Sequence, residues 1–393
     1  MTGRSPNRAG VYDWIPPAGS KPTQNGRNQV HMRSSETTLP QVLKAAGYAT
    51  CMSGKWHCNS RFNHDSQPQP GDAGFDHWFG TQNNAAPSHE NPTNYVRNGE
   101  KVGPLEGFSC QLAAEEAIGW MREQEQHDEK PFFLYLAFHE PHEPVASPEK
   151  LVAKYLPVAK DEDQAQYFAN VTNMDKAVGR MIEALEDLGE RENTLVVFTS
   201  DNGPETLNRY RSANRSHGQP GPLRGMKLWT TEAGFRVAGI VNWPAKIKQP
   251  FISDAVVSSL DFLPTFCNLA GGELPDRTLD GTNFLPLLAG EEVRREKPLI
   301  WCYYNAINQR RVAMRHGKWK MLARLSDLPK LQNVNTENSK RVKATQLSDF
   351  QLFEIAKDIG ELHDVSEDNA TFSELRKTMQ SAYAELIESS HVW

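Results

Sequence analysis

The chain has 393 residues, 38% of them hydrophobic and 23% charged, which is enough apolar material for a large core and a length that suits one big domain with a smaller one. A net charge of -6 supplies no basic footprint for nucleic acid, although a local convergence of Lys and Arg would still admit an anionic substrate. No apolar run reaches the length that crosses a bilayer, so neither nucleic acid nor membrane is an expected partner.

Residues 1–34 are rich in Gly, Pro, Asn and Arg without a period, which predicts an extended or looped lead-in where an α/β domain usually has a buried first strand. The opening Met1-Thr-Gly-Arg-Ser-Pro-Asn-Arg8 carries no apolar core of a signal peptide, and localisation stays open. Thr38 is placed to cap a short helix, with Pro40 in its first turn and Gly47 just past its end. Residues 48–53 read as a strand that delivers Gly54-Lys55-Trp56-His57 to its carboxyl end. The stretch 60–107 is loop-dominated apart from an aromatic segment at 74–80. Residues 111–124 read as a helix, and 131–138 as a short apolar strand ending in His139-Glu-Pro-His142-Glu-Pro.

Over 163–188, Phe168, Val171, Met174, Val178, Met181, Ile182, Leu185 and Leu188 recur at helical spacing. Leu195-Val-Val-Phe198 is a continuous run rich in β-branched residues and closed by polar ones, which predicts a strand buried on both faces. A strand over 235–241 follows, then a helix over 259–270 that Pro264 kinks or delays. Beyond residue 297 the texture changes to short strands at 299–304, 311–316, 319–325 and 351–355, with His316-Gly317-Lys318 suited to a tight hairpin. A polar insertion at 326–348 is expected to be a surface loop or a flexible segment, and an amphipathic helix at 372–387 closes the chain. The expected class is α/β, with a mostly parallel central sheet flanked by helices over 1–296. A small antiparallel sheet with one helix is expected over 297–393. Cys51, Cys58, Cys110, Cys267 and Cys302 are scattered and odd in number, which argues against a disulfide framework and for buried structural thiols.

In open α/β sheets ligands lie beyond the carboxyl ends of the strands. Lys55 and His57 follow one expected strand, His142 another, and Asp201 and Asn202 a third, while Lys227 comes from the loop after it. Each has an ordinary explanation: a surface loop for Lys-Trp-His, backbone-bonded turn histidines at 139 and 142, a solvated Lys227, and an Asx turn at Asp201-Asn202. Together they suit a small oxyanion. Lysines balance its charge, histidines protonate a leaving oxygen, and a carboxylate beside an amide offers hard oxygens to a divalent cation.

Gly47-Tyr-Ala-Thr-Cys-Met-Ser-Gly-Lys-Trp-His57 resembles the second signature of the sulfatases. Glu140-Pro-His142-Glu-Pro, Ser200-Asp-Asn-Gly203, Leu223-Arg-Gly-Met-Lys227, Glu232-Ala-Gly-Phe-Arg236-Val and Leu352-Phe-Glu-Ile-Ala-Lys-Asp-Ile-Gly-Glu361 are similar to further blocks of that family. The resemblance implies an alkaline-phosphatase-like α/β fold, a calcium ion, and hydrolysis of small aryl or carbohydrate sulfate esters. It implies Asp201 and Asn202 as calcium ligands, and Lys55, His142 and Lys227 as the sulfate-binding set. It further implies that His57 orients a hydrated formylglycine nucleophile and that His142 or Lys227 stabilises or protonates the leaving oxygen. Asn84 is a further candidate facing the substrate. Members of the family are usually periplasmic, secreted or lysosomal.

Two features depart from the family pattern. Arg236-Val-Ala-Gly stands where Arg-Val-Pro is usual. The family's Cys (or Ser)-x-Pro-Ser-Arg block, whose first residue becomes formylglycine, runs into Thr-Gly-Arg, and this chain opens inside it at Met1-Thr2-Gly3-Arg4. None of the five cysteines lies in a Cys-x-Pro-x-Arg context, and the chain has no Asp-Asp pair. The nucleophile, a first strand and further calcium ligands are therefore expected upstream of Met1. This chain is expected to bind calcium weakly and to be poorly soluble and inactive on aryl sulfates. Two other functions fit the same residues: a degenerate homologue that binds sulfated or phosphorylated glycans without catalysis, and a metal-dependent phosphodiesterase or phosphonate hydrolase. Trp56, Trp78 and Trp229 suit stacking on a sugar or aryl ring as well as they suit packing. The substrate alcohol and the oligomeric state are not legible.

Overall fold

The computed structural model describes residues 1–17, 29–127 and 130–393. The lead-in is more ordered than its composition suggests. Helix α1 (Pro6–Ala9) buries Asn7, Arg8 and Ala9, and Asn7 Nδ2 donates to Cys302 O at 3.2 Å. The part of the expected loop at 18–28 lies outside the described residues. In α2 (Leu39–Ala45), Thr38 accepts from the Gln41 N–H and the Gln41 side chain accepts from the Thr38 N–H, so two orphan donors are satisfied reciprocally.

Strand β1 (Ala49–Lys55) is buried almost throughout. It lies between β2 (His77–Thr81) and β5 (Phe132–Ala137), parallel to both, while the short β3 (Val96–Arg97) and β4 (Glu100–Lys101) extend the β2 side antiparallel in the order β4-β3-β2-β1-β5. Gly54 pairs with Ala137 at the end of β5. A Cβ there would fall 1.9 Å from Ala137 O, and its φ of 108° belongs to glycine. Only glycine lets β1 deliver Lys55 beside the end of β5.

Helices α3 (Ser109–His127), α4 (Glu149–Tyr155) and α5 (Glu162–Asp187) follow, α4 being unforeseen. Helix α5 forms where the helical spacing placed it, and most of the expected stripe faces inward, with Met174, Ile182 and Leu188 packed against the core and alanines interleaved. Ala165, Ala169, Ala177, Met181, Ala184 and Leu185 are buried, whereas Val171 is exposed. Alanines allow a close approach that a stripe of branched side chains would prevent. Met181 and Leu185 share one core with Ala114 and Ala117 of α3 and with Phe132, Leu134 and Leu136 of β5.

Strand β6 (Val196–Thr199) is not buried on both faces as its composition implied. Its apolar residues are half-buried, and it pairs only with β7 (Gly239–Asn242), antiparallel, in a separate two-stranded ribbon. A neighbour on one side leaves the other edge open, and Val196 joins the α3–α5 core. The strand expected from residue 235 begins later, because α6 (Glu232–Phe235) occupies its start. Helix α7 (Phe262–Leu269) starts late, after a Ser258-capped 3₁₀ turn, so that Pro264 falls in its first turn. The short α8 (Leu285–Leu288) precedes the last sheet.

That sheet runs β11-β10-β9-β8, all antiparallel, from β8 (Leu299–Cys302), β9 (Val312–His316), β10 (Trp319–Leu325) and β11 (Leu347–Glu354). The β9–β10 turn is Gly317-Lys318, with Gly317 at φ 55°. The 326–348 insertion is not a loose surface loop. It contains α9 (Ser339–Ala344) and the start of β11, and it buries Leu328, Val334 and Val342 in the core beneath α10 (Phe372–Glu388). Cys51, Cys110, Cys267 and Cys302 are buried free thiols, and Cys58 is half-buried. Among the described residues no helix is long and apolar enough to cross a membrane.

Candidate functional site

Lys55 ends β1 with Nζ 3.4 Å from Asn84 Oδ1. Among the described residues no carboxylate forms an ion pair with it. Burial lowers its pKa to about 8; the Asp201 and Glu143 charges oppose that shift and Lys227 adds to it. His57 stands two residues on, with Nε2 2.9 Å from Ile15 O. A carbonyl only accepts, so Nε2 carries the proton and Nδ1 is left as an acceptor. Burial, then the charges of Lys55 and Lys227, hold this imidazole down to about 4.

His142 lies in the turn after β5, where Nδ1 donates to Glu143 O at 2.9 Å and leaves Nε2 as the acceptor. Burial, followed by Lys227 and Lys55, lowers its pKa to about 3. Its neighbour His139 is different in kind: fully buried, 2.8 Å from Thr81 Oγ1 and 3.3 Å from the Tyr95 hydroxyl, it packs behind the site.

Lys227 reaches the site because two loops are stitched together. Gly203 N donates to Gly234 O at 3.2 Å, and Lys227 N donates to Pro204 O at 2.9 Å. A Cβ on Gly203 would fall 1.7 Å from Ala233 O, so any other residue would force the Asp-Asn-Gly loop away from α6. Asp201, exposed beyond the end of β6, is in electrostatic reach of Lys55. Asn202 spends its Nδ2 on Gly203 O at 2.9 Å, which leaves Oδ1 free. Lys55, His57, His142 and Lys227 thus converge, with Asp201 and Asn202 at the rim and Asn84 against Lys55.

Glu205 and Glu143 also face this cluster and were not singled out in the sequence. Glu205 Oε2 lies 3.6 Å from Lys227 Nζ. Its carboxylate accepts from Arg209 at 2.7 and 2.8 Å. Burial pushes the Glu205 carboxyl up, but Arg209 and Lys227 outweigh it and the pKa ends below its usual value. Burial pushes the Glu143 carboxyl up. The i,i+4 spacing of Glu205 and Arg209, just past the Asp-Asn-Gly turn, was the available signal. Trp56 and Trp78 pack in the core around Met52 and Phe75, and Trp229 is half-buried.

The chain matches the family model described as Sulfatase over residues 1–272. It belongs to the sulfatase family. A second model, N-sulphoglucosamine sulphohydrolase, C-terminal, matches residues 226–389 of this sulfatase-family chain. N-acetylgalactosamine-6-sulfatase of Rattus norvegicus is 32% identical over 337 residues, covering 81% of this chain and 60% of that protein. Arylsulfatase A of Homo sapiens is 32% identical over 346 residues, covering 81% and 63%. The chain therefore spans about 60% of the length of these curated relatives. The crystal structure of Ps i-CgsB in complex with k-i-k-neocarrahexaose superposes with a TM-score of 0.78 at 26% identity, covering 100% of this chain and 82% of that one. The alkaline-phosphatase-like α/β fold implied by the motifs is the fold observed.

The family implies calcium, which takes about 6–8 oxygen ligands. Asp201 and Asn202 offer one carboxylate and one amide oxygen, and among the described residues no group of three or more His, Cys, Asp or Glu stands together as a metal site. These residues alone do not make up a calcium site.

Proposed function

We propose that this chain acts on sulfate esters of small carbohydrate or aryl alcohols, with Lys55, His142 and Lys227 as the cradle for the sulfate group. One observation carries the reading: Lys55 is drawn out of water beside Lys227 and two histidines, and the protein supplies it with an amide oxygen rather than a carboxylate. Asp201, Glu143 and Glu205 lie near this cluster, but Lys55 has no carboxylate in contact and keeps donor capacity for an entering anion.

A bound sulfate oxygen supplies the missing negative charge, so it raises the pKa values of Lys55 and His142 together. His142 Nε2, an acceptor in the free site, then carries a proton to place on the leaving oxygen, and Lys227 balances charge as that bond breaks. His57 is held by Ile15 O in the tautomer whose Nδ1 accepts, the state needed to orient a hydroxyl nucleophile. The family's nucleophile is formylglycine, and none of the five cysteines lies in its sequence context. The residues of this chain therefore account for binding, orientation and proton handling. Membership of the sulfatase family and the saccharide named in the Ps i-CgsB complex support a sulfated carbohydrate as the substrate class.

Calorimetric titration with N-acetylgalactosamine 6-sulfate and 4-nitrophenyl sulfate tests the proposal. Lys55→Ala and Lys227→Ala should each weaken binding by about 10-fold or more, the worth of one charge-assisted hydrogen bond. Unchanged affinity in both variants, or preferential binding and cleavage of phosphodiesters, would overturn it.

A further inference from the structure

A second cationic cavity lies away from the Lys55 cluster, where the two ends of the chain meet. It has a volume of about 430 Å³, and its walls include Arg4, Arg8, Arg33, Arg277, Ser389 and His391. None of these residues belongs to the site described above. At its base the buried Glu36 accepts from three guanidiniums: Arg4 Nη1 at 3.0 Å to both oxygens, Arg277 Nη1 at 2.7 Å, and Arg33 Nη2. Arg8 is held from behind by Asp280 at 2.9 Å and Glu385 at 3.3 Å, and it also bonds the Ser389 hydroxyl.

A structural clasp explains part of this arrangement, since Glu36 ties together segments far apart in sequence. It does not explain all of it. One carboxylate carries one negative charge, and three arginines converge on it, while Arg8 beside them is answered by Asp280 and Glu385. Arg4 Nε is buried with no acceptor. Arg4 is ion-paired to Glu36 through Nη1, but its buried Nε–H, left without an acceptor, costs free energy that an incoming acceptor recovers. Planar guanidiniums also bind tetrahedral oxyanions through paired N–H groups, which lysines do not. His391 also lines the cavity, while the Ser389 and Ser390 hydroxyls donate to Glu385 and Leu386 carbonyls of the last helix.

We propose that this cavity is a second oxyanion-binding site, taking a sulfate or phosphate group, free or carried on a sugar-sized molecule. Arg4, Arg33 and Arg277 supply the charge, and His391 lines the same cavity. Arg33 Nη1 lies 3.2 Å from His391 Nδ1, so the free site holds that nitrogen as an acceptor and the imidazole neutral. An anion in the cavity stabilises the protonated ring. His391 is thus a reporter built into the site, as His142 is for the Lys55 cluster.

Nitrogen-15 NMR of the histidine-labelled chain reads both sites in one sample during titration with inorganic sulfate and, separately, inorganic phosphate. The expected result is a saturable shift of the His391 ring nitrogens and a rise in its apparent pKa. That response should persist in Lys227→Ala and weaken about 10-fold or more in Arg277→Gln. Equal shifts with both ions assign the site to the shared tetrahedral anion, and a preference names the source. If His391 in the unmodified chain does not respond up to tens of millimolar of either ion, the cavity is a clasp only and the proposal fails, whatever the stability of the Arg277 variant. A His391 response lost in Lys227→Ala would equally overturn it, by placing the anion at the first site.

Discussion

Lys55 and Lys320 are both lysines withdrawn from water, and the protein treats them in opposite ways. Lys320, wholly inaccessible on β10, has Nζ 3.0 Å from Glu232 and 3.0 Å from Glu361, with the Phe235 ring 4.2 Å away. Two carboxylates and an aromatic face repay its desolvation. Lys55, at the carboxyl end of β1 inside the main sheet, has an amide oxygen at 3.4 Å and a pKa lowered to about 8 by burial, which Lys227 reinforces. The fold itself balances the first charge with two carboxylates in contact, whereas the second has none in contact, as the proposed ligand role requires. The two regions meet at α6, where Glu232 answers Lys320 and Gly234 holds the loop that positions Lys227.

The largest effect that would sharpen this contrast is expected from Lys320→Met. It strands Glu232 and Glu361 together without their cation, and urea unfolding should show a loss of about 3–5 kcal/mol. Adding Glu361→Gln to that variant should recover part of the loss. Lys55→Met should behave in the opposite way, with stability within about 1 kcal/mol of the parent and oxyanion affinity lowered about 10-fold or more. A stability loss matching that of Lys320→Met would erase the distinction between the two lysines.

A smaller effect separates the regions by pH. His142 and His57 have folded pKa values of about 3 and about 4, below the 6.5 of the unfolded chain. Between those values the unfolded state binds protons that the folded state does not, so stability falls as pH drops through 6.5 and continues to fall toward the folded pKa values. His142→Asn should flatten that limb of the stability–pH curve. Saturating sulfate should shift it by raising the His142 pKa, and an NMR titration of the ring in both conditions checks the sign. The smallest effect expected is from calcium. With Asp201 and Asn202 alone as ligands, calorimetry should find weak binding or none, and tight stoichiometric binding abolished by Asp201→Ala would show that the ligand set is larger than these two residues.

What could be read from the sequence was local or carried by motif. The Thr38 cap, the delayed α7 at Pro264 and the Gly317 hairpin each depend on groups within about four residues of one another, so neighbouring letters suffice to place them. The sulfatase blocks named Lys55, His57, His142 and Lys227, and the strand pattern put Lys55 and His142 beyond strand ends. Packing decided the rest. The inward face of α5 interleaves Ala165, Ala169, Ala177 and Ala184 with the periodic Met181 and Leu185, because closeness to α3 selects for small size and periodicity reports only hydrophobicity. Strand β6 is half-buried because it has a single neighbour, which its own residues do not specify. The balance of each buried charge depends on which distant residue arrives beside it. Lys320 finds partners 88 and 41 positions away, and Glu36 finds Arg4 and Arg277 from 32 and 241 away. Desolvation and Coulomb energy depend on distance in space, and only the folded chain sets that distance.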